Sequence, residues 1–169
     1  VDNLCARYPQ APEPLWALAN LALARGERSQ ALKHLQKAEA IAPPTASLHC
    51  LLGRVYLELH QPAEAEKRFR AALELDATFA PALRELAAAL LQQANFNDAA
   101  EAALEAVGLE YSNAHGHYLL GLALTRLGRV EPAMAAFQAA LHLNPQLQPA
   151  QVALQQLRRR HSAAEPPQE

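Results

Sequence analysis

Two stretches of this 169-residue chain read almost alike, "LLGRVYLELHQPAEAEKRFRAALELDA" from Leu51 and "LLGLALTRLGRVEPAMAAFQAALHLNP" from Leu119. Their starts lie 68 residues apart, and half that interval divides the chain into 34-residue blocks starting at Pro12, Ala46, Ala80 and Ala114. The seventh place of the blocks holds Leu18, Leu52, Leu86 and Leu120, and the eighth holds Ala19, Gly53, Ala87 and Gly121. Alanine fills the twentieth place (Ala31, Ala65, Ala99, Ala133) and the twenty-seventh (Ala38, Ala72, Ala106, Ala140). A fixed period of this length marks a supersecondary unit that is copied and stacked, each copy covering the apolar face of its neighbour.

The spacing predicts that each block is a helical hairpin. Small residues at the eighth and twentieth places let two antiparallel helices approach closely, where a larger side chain would overpack the crossing at a cost of about 1–3 kcal/mol. The seventh-place leucines, with Leu35, Phe69 and Phe137 at the twenty-fourth place, fill the space alongside; Ala103 in block three predicts looser packing there. Gly26 and Gly128 are expected to end first helices in the left-handed conformation, and Pro62 and Pro132 to sit in the opening turn of second helices. Ser29 and Asn97 are expected N-caps, while Pro43 and Pro145 stop the second helices. Composition agrees: 51% of residues are hydrophobic but only 5% aromatic, and the abundant alanine has the best intrinsic helix propensity.

Charge and motifs exclude several functions. A formal net charge of -2 gives no field that would favour nucleic acid or an anionic membrane surface. Charged or polar residues interrupt every apolar run before the ~20 residues a membrane span needs, so no membrane insertion is expected. Cys5 and Cys50 are too far apart for a CxxC motif and too few for a disulfide framework; they read as reduced thiols, consistent with a cytoplasmic location. His115 and His117, two apart, point to different sides of a helix and argue against a shared metal. No Gly-rich phosphate loop, nucleophile elbow or paired-His motif occurs, so no cofactor, metal or catalytic residue is expected, and the chain does not read as an enzyme.

These residues carry a family resemblance. Block two (Leu52, Gly53, Tyr56, Ala65, Phe69, Ala72) and block four (Leu120, Gly121, Leu124, Ala133, Phe137, Ala140, Pro145) resemble the tetratricopeptide repeat (TPR) pattern. The resemblance implies an all-α fold: a right-handed α-α superhelix, or TPR solenoid, of antiparallel helix hairpins. Its repeats would span 12–45, 46–79, 80–113 and 114–147. Departures from the pattern are Ala77 and Tyr111 where a closing proline is usual, and His49 and His117 where Trp often stands; they should alter turns and surface contacts without changing the fold. In the same register, residues 1–11, with Leu4, Cys5, Tyr8 and Pro9, read as the remnant of an upstream repeat helix. A chain that starts on Val1 reads as a piece of something longer. Residues 148–160 read as a capping helix with Val152, Ala153, Leu154 and Leu157 on its apolar side and Arg158, Arg159 and Arg160 at its end. Residues 161–169 read as a disordered tail or linker.

The resemblance implies a concave groove lined by first helices, in which family members commonly hold a peptide. The groove-facing places are Trp16, Asn20 and Leu23 in block one; Cys50, Arg54, Leu57 and Glu58 in block two; Arg84, Glu85, Ala88 and Gln92 in block three; and His115, Tyr118, Leu122 and Arg126 in block four. Trp16 and Tyr118 offer amphipathic contact area, and the arginines are balanced by Glu13, Glu58 and Glu85. The implied partner is therefore a peptide or protein segment of mixed apolar and polar character. Family members that grip a chaperone C-terminal carboxylate use Lys, Asn, Asn, Lys and Arg at places that here hold Trp16, Asn20, Leu51, Pro81 and Glu85, so that motif is not expected as ligand. Counted from block two, the same places hold Cys50, Arg54, Glu85, His115 and Leu119, with no match. Plainer roles are also open: Trp16 as packing beneath the N-terminal remnant, the arginines as partners of Glu58, Glu85 or nearby acids, and Cys50 as an inert small residue. Apolar surface at the N-terminal end of block one would allow a dimer. A protein-interaction scaffold is the leading functional reading. The alternative is a structural or regulatory segment of a multidomain enzyme, acting by intramolecular packing or self-association.

Overall fold

In the computed structural model, residues 13–41 and 43–164 are described. Among them are nine helices and no strand: α1 (Glu13–Ala24), α2 (Arg28–Ile41), α3 (Ala46–Glu58), α4 (Pro62–Leu75), α5 (Ala80–Gln92), α6 (Phe96–Leu109), α7 (Ala114–Arg126), α8 (Val130–Leu143) and α9 (Gln148–Ala164). The expected remnant at 1–11 lies outside the described residues, as does the apolar end it was expected to leave. Two compact units divide the chain, one up to Glu85 and one from Leu86.

The repeating alanines form the framework of both units. Ala31, Ala38, Ala65 and Ala72 in the first unit, and Ala87, Ala99, Ala133 and Ala140 in the second, are completely buried. Where the eighth place is glycine, the twenty-fourth is phenylalanine. A Cβ placed on Gly53 would lie 2.5 Å from a ring carbon of Phe69, and one on Gly121 would lie 2.6 Å from Phe137. Glycine is required there because an aromatic ring occupies the space a side chain would need. Where the eighth place is Ala19 or Ala87, the twenty-fourth shrinks to Leu35 or Ala103, and all four are buried.

Each hairpin turn is built the same way. The fifteenth place of every block has positive φ: Gly26 at 74°, His60 at 58°, Ala94 at 60° and Gly128 at 72°. In each turn the N–H of the next residue reaches back five positions, as from Glu27 to Ala22 (2.8 Å), Gln61 to Tyr56, Asn95 to Leu90 and Arg129 to Leu124 (each 2.9 Å). The left-handed residue itself donates three back, as from Gly26 to Leu23 at 2.9 Å. These paired bonds make the Schellman motif, which satisfies carbonyls that the helix end would leave open.

The same turn corrects the expected N-caps. Second helices begin at Arg28, Pro62, Phe96 and Val130, so Ser29 and Asn97 lie inside the first turn rather than before it. The carbonyls of Glu27, Gln61, Asn95 and Arg129 already accept from the twentieth-place alanines at 3.0–3.1 Å, and at the N-cap Gln61, Asn95 and Arg129 make no side-chain cap bond. Side-chain caps occur instead on first helices: the Thr45 hydroxyl accepts from the Leu48 N–H at 3.2 Å, and Asn113 Oδ1 from His115 and Gly116 at 3.1 and 3.3 Å. Pro62 opens α4 as expected.

Because Ala94 carries a Cβ in the left-handed region, where L-residues lose about 1–2 kcal/mol, Ala94→Gly is expected to stabilise the protein. The gain should be about 0.5–1 kcal/mol after the added flexibility of the unfolded chain is counted. Urea denaturation reads it as a higher midpoint with unchanged slope. An unchanged or lowered midpoint would show that the turn carries no such strain.

The last helix differs from expectation in two respects. It runs to Ala164 rather than ending at 160, and Val152 is 50% exposed while Ala150, Leu154 and Leu157 are buried. Burial follows the i, i+4, i+7 spacing of one helical stripe, and Val152 falls on the opposite side. Arg158, Arg159 and Arg160 are exposed.

Candidate functional site

In the first unit the expected groove residues separate into packing and surface groups. Trp16 is partly buried against the core of Ala19, Leu48 and Leu52, and its indole nitrogen is buried without a partner among the described residues. The tryptophan is therefore partly structural. Asn20 and Arg54 are exposed, while Leu23, Leu57, Glu58, Arg84 and Glu85 are half-buried. Glu58 accepts from Arg28 Nε at 3.2 Å rather than from Arg54. Cys50 is buried, so its thiol is not presented as an open lining group. Burial first, and the charge of Glu85 second, push its pKa up to about 11 against the pull of Arg54 and Arg84. Such a thiol is overwhelmingly protonated at neutral pH and a poor nucleophile. Its electrostatic neighbours also show that α3 and α5 bring Arg54, Arg84 and Glu85 around one spot.

In the second unit, Ala88, Tyr118 and Leu122 are half-buried, and Gln92, His115 and Arg126 are exposed. The rings of His115 and Tyr118 lie 5.8 Å apart, and Tyr118 lies 6.0 Å from Phe137. Burial raises the Tyr118 hydroxyl above its ordinary pKa. The Arg126 guanidinium lies over the Phe96 ring, 5.6 Å from its centre, a cation–π contact rather than a carboxylate pair. Beside it is a cleft of about 410 Å³ between α7, α8 and α9, with Leu122, Phe137, Ala153 and Leu157 forming apolar walls and Thr125, Arg126, Gln156 and Arg160 the polar ones. The single-block groove register had included only Leu122 and Arg126 of these. Of the rest, Arg160 alone had a signal, in charge distribution: residues 114–164 carry five arginines but one acid, Glu131.

Two departures from the repeat pattern are partners of each other. His117 is 5% exposed. Its Nε2 lies 2.9 Å from the Tyr111 carbonyl oxygen, and the two rings meet edge to face at 5.0 Å. The histidine thus fastens the turn in which Tyr111 replaces the usual proline, while His115 points to solvent. Among the described residues, no three His, Cys, Asp or Glu side chains gather in a way that could hold a metal, and no helix is long and apolar enough to cross a membrane.

His49, the other replacement at the usual Trp place, gives the first unit a pH dependence. Its pKa is lowered by burial and by Arg68, against the opposing charges of Glu39 and Glu74; Arg68 itself pairs with Glu39. Its Nδ1 stands 3.9 Å from Glu39, beyond hydrogen-bond reach, and has no hydrogen-bond partner among the described residues. A histidine whose folded pKa is depressed leaves the unfolded chain the better proton acceptor, so stability is lost as pH falls below about 6.5, the ordinary histidine value. The urea midpoint should fall between pH 7.5 and pH 5, and fall less in His49→Gln. Equal losses in both proteins would remove His49 as the cause.

Comparisons with known proteins follow the same periodicity. Two tetratricopeptide repeat models match, one over residues 84–147 and one over residues 46–79. The chain is 32% identical over 124 residues to the type IV pilus assembly protein PilF of Pseudomonas aeruginosa, a match that covers 72% of this chain but 49% of that protein. It thus spans about half the length of that curated relative. The solved PilF structure superposes with a TM-score of 0.82 at 25% identity, covering 90% of this chain and 69% of that one. MamA of Desulfovibrio magneticus gives 0.81 at 22% identity, covering 89% and 85%. The first TPR domain of Spaghetti (RPAP3), solved with an HSP90 peptide bound, gives 0.68 at 20% identity, covering 69% and 93%.

Proposed function

The chain belongs to the tetratricopeptide repeat family, and from that premise we propose that it is a protein-interaction scaffold holding a peptide or protein segment along its first helices. The observation that carries this reading is the split between framework and face. Leu52, Ala65, Ala99 and Ala133 are consumed by packing, whereas Arg54, Gln92, His115 and Arg126, on first helices of both units, remain exposed. Half-buried Leu57 shares α3 with Arg54, and half-buried Tyr118 and Leu122 share α7 with His115 and Arg126. Exposed polar groups interleaved with apolar contact area suit a ligand of mixed character, with aromatics supplying area and arginines fixing register. The peptide-bound RPAP3 domain supports peptide binding by this fold. The reading assigns the chain no catalytic step.

Affinity capture from the source organism with wild-type protein and an Arg84→Ala/Tyr118→Ala variant tests the proposal. Helicity by circular dichroism should be equal in the two, because neither residue belongs to the alanine framework, while partners identified by mass spectrometry should be depleted with the variant. Recovery of the same partners by both proteins would show that these faces are not the functional surface.

A further inference from the structure

The cleft between α7, α8 and α9 combines apolar and cationic walls. Its floor is apolar, with Phe137 almost fully buried at 1% exposure. Two exposed arginines flank it from different helices, Arg126 on α7 and Arg160 on α9, and among the described residues no carboxylate lines it. Arg126 is held by the face of Phe96, which orients a guanidinium without neutralising it. Over residues 114–164 the arginines number five and the acids one, Glu131, although the whole chain is slightly acidic. Thr125 donates its hydroxyl proton to the Gly121 carbonyl at 2.7 Å, so toward the cleft it can only accept, and Gln156 supplies the further polar contact.

Resting on the scaffold reading above, we propose that this cleft is a docking site for an internal segment of a partner protein in which an Asp or Glu side chain stands next to a large apolar one. The apolar side chain lies against half-buried Leu122 and Ala153, and the carboxylate accepts hydrogen bonds from Arg126 and Arg160. Guanidinium groups bind carboxylates through paired, charge-assisted hydrogen bonds, and a lysine-bearing segment would be repelled, so sign and shape select together.

The test is a display library of random hexapeptides, tethered through both ends so that no free C-terminal carboxylate is present, selected on the full chain. Enriched sequences should combine Asp or Glu with Phe, Leu, Ile, Met or Trp. A synthetic peptide of the enriched sequence, acetylated and amidated, should lose affinity about 10-fold on Arg126→Ala/Arg160→Ala protein, with circular dichroism unchanged. The Ala153→Phe variant, which fills the cleft, should lose it as well. Enriched peptides without acids, or affinity unchanged in both variants, would overturn the proposal. If affinity depends instead on Arg54 and Leu57, tested by their double alanine variant, the scaffold reading survives and this site does not. No enrichment over a blank surface would overturn both.

Discussion

Truncation of Phe69 to alanine is expected to remove about 3–5 kcal/mol of stability, the usual range for deleting a fully buried aromatic ring. The upper part of that range is expected because the site has little ability to collapse. The ring is completely buried, and the helix facing it presents Gly53, whose position offers no side chain that could swing into the void. The neighbouring Leu52, Ala65 and Ala72 are also completely buried and already engaged in packing. Single domains are stable by only about 5–15 kcal/mol, so the variant should unfold at a much lower urea concentration. A loss under about 1 kcal/mol would mean that the ring is not packed as the structure has it.

A comparable effect is expected at Gly121, and here the sequence itself supplies the rescue. A methyl group at this position would meet the Phe137 ring at 2.6 Å, so Gly121→Ala should cost about 1–3 kcal/mol through overpacking. This is notable because alanine is intrinsically the better helix former by about 1 kcal/mol; the sign of the result therefore separates packing from propensity. Block one writes the corresponding pair as Ala19 and Leu35, both buried. Phe137→Leu should consequently be destabilising alone but much less so in the Gly121→Ala background. Additive losses in the double variant, measured by urea denaturation, would show that the two places do not exclude each other's volume.

Much of this architecture was legible in the sequence because close helix approach restricts residue type absolutely. Only Gly or Ala fits the eighth and twentieth places, so those positions repeat without exception and announce the hairpins. The turns were half legible. Gly26 and Gly128 advertise their left-handed backbone, but His60 and Ala94 adopt it under the demand of the Schellman bonds, with no glycine to reveal it. Ser29 and Asn97 misled for a related reason: they have the chemistry of caps, yet the turn delivers the chain into the second helix two places earlier. At the candidate site, register singled out Arg126 and Leu122, while Thr125, Gln156 and Arg160 lay beyond its reach. Those three become neighbours through the packing of α7 against α9, which a one-block register does not contain. Cys50 shows the converse, a residue assigned to a face by register whose side chain the fold covers.

The central claim, that the first-helix faces hold the partner, is tested most directly by site-specific photo-crosslinking in the source organism. Benzoylphenylalanine would be placed at half-buried Leu57 and Leu122 on first helices and at exposed Glu101 and Gln138 on second helices. Partner adducts, located by mass spectrometry, are expected from positions 57 and 122. Adducts confined to positions 101 and 138 would contradict the account and move the functional surface to the second helices.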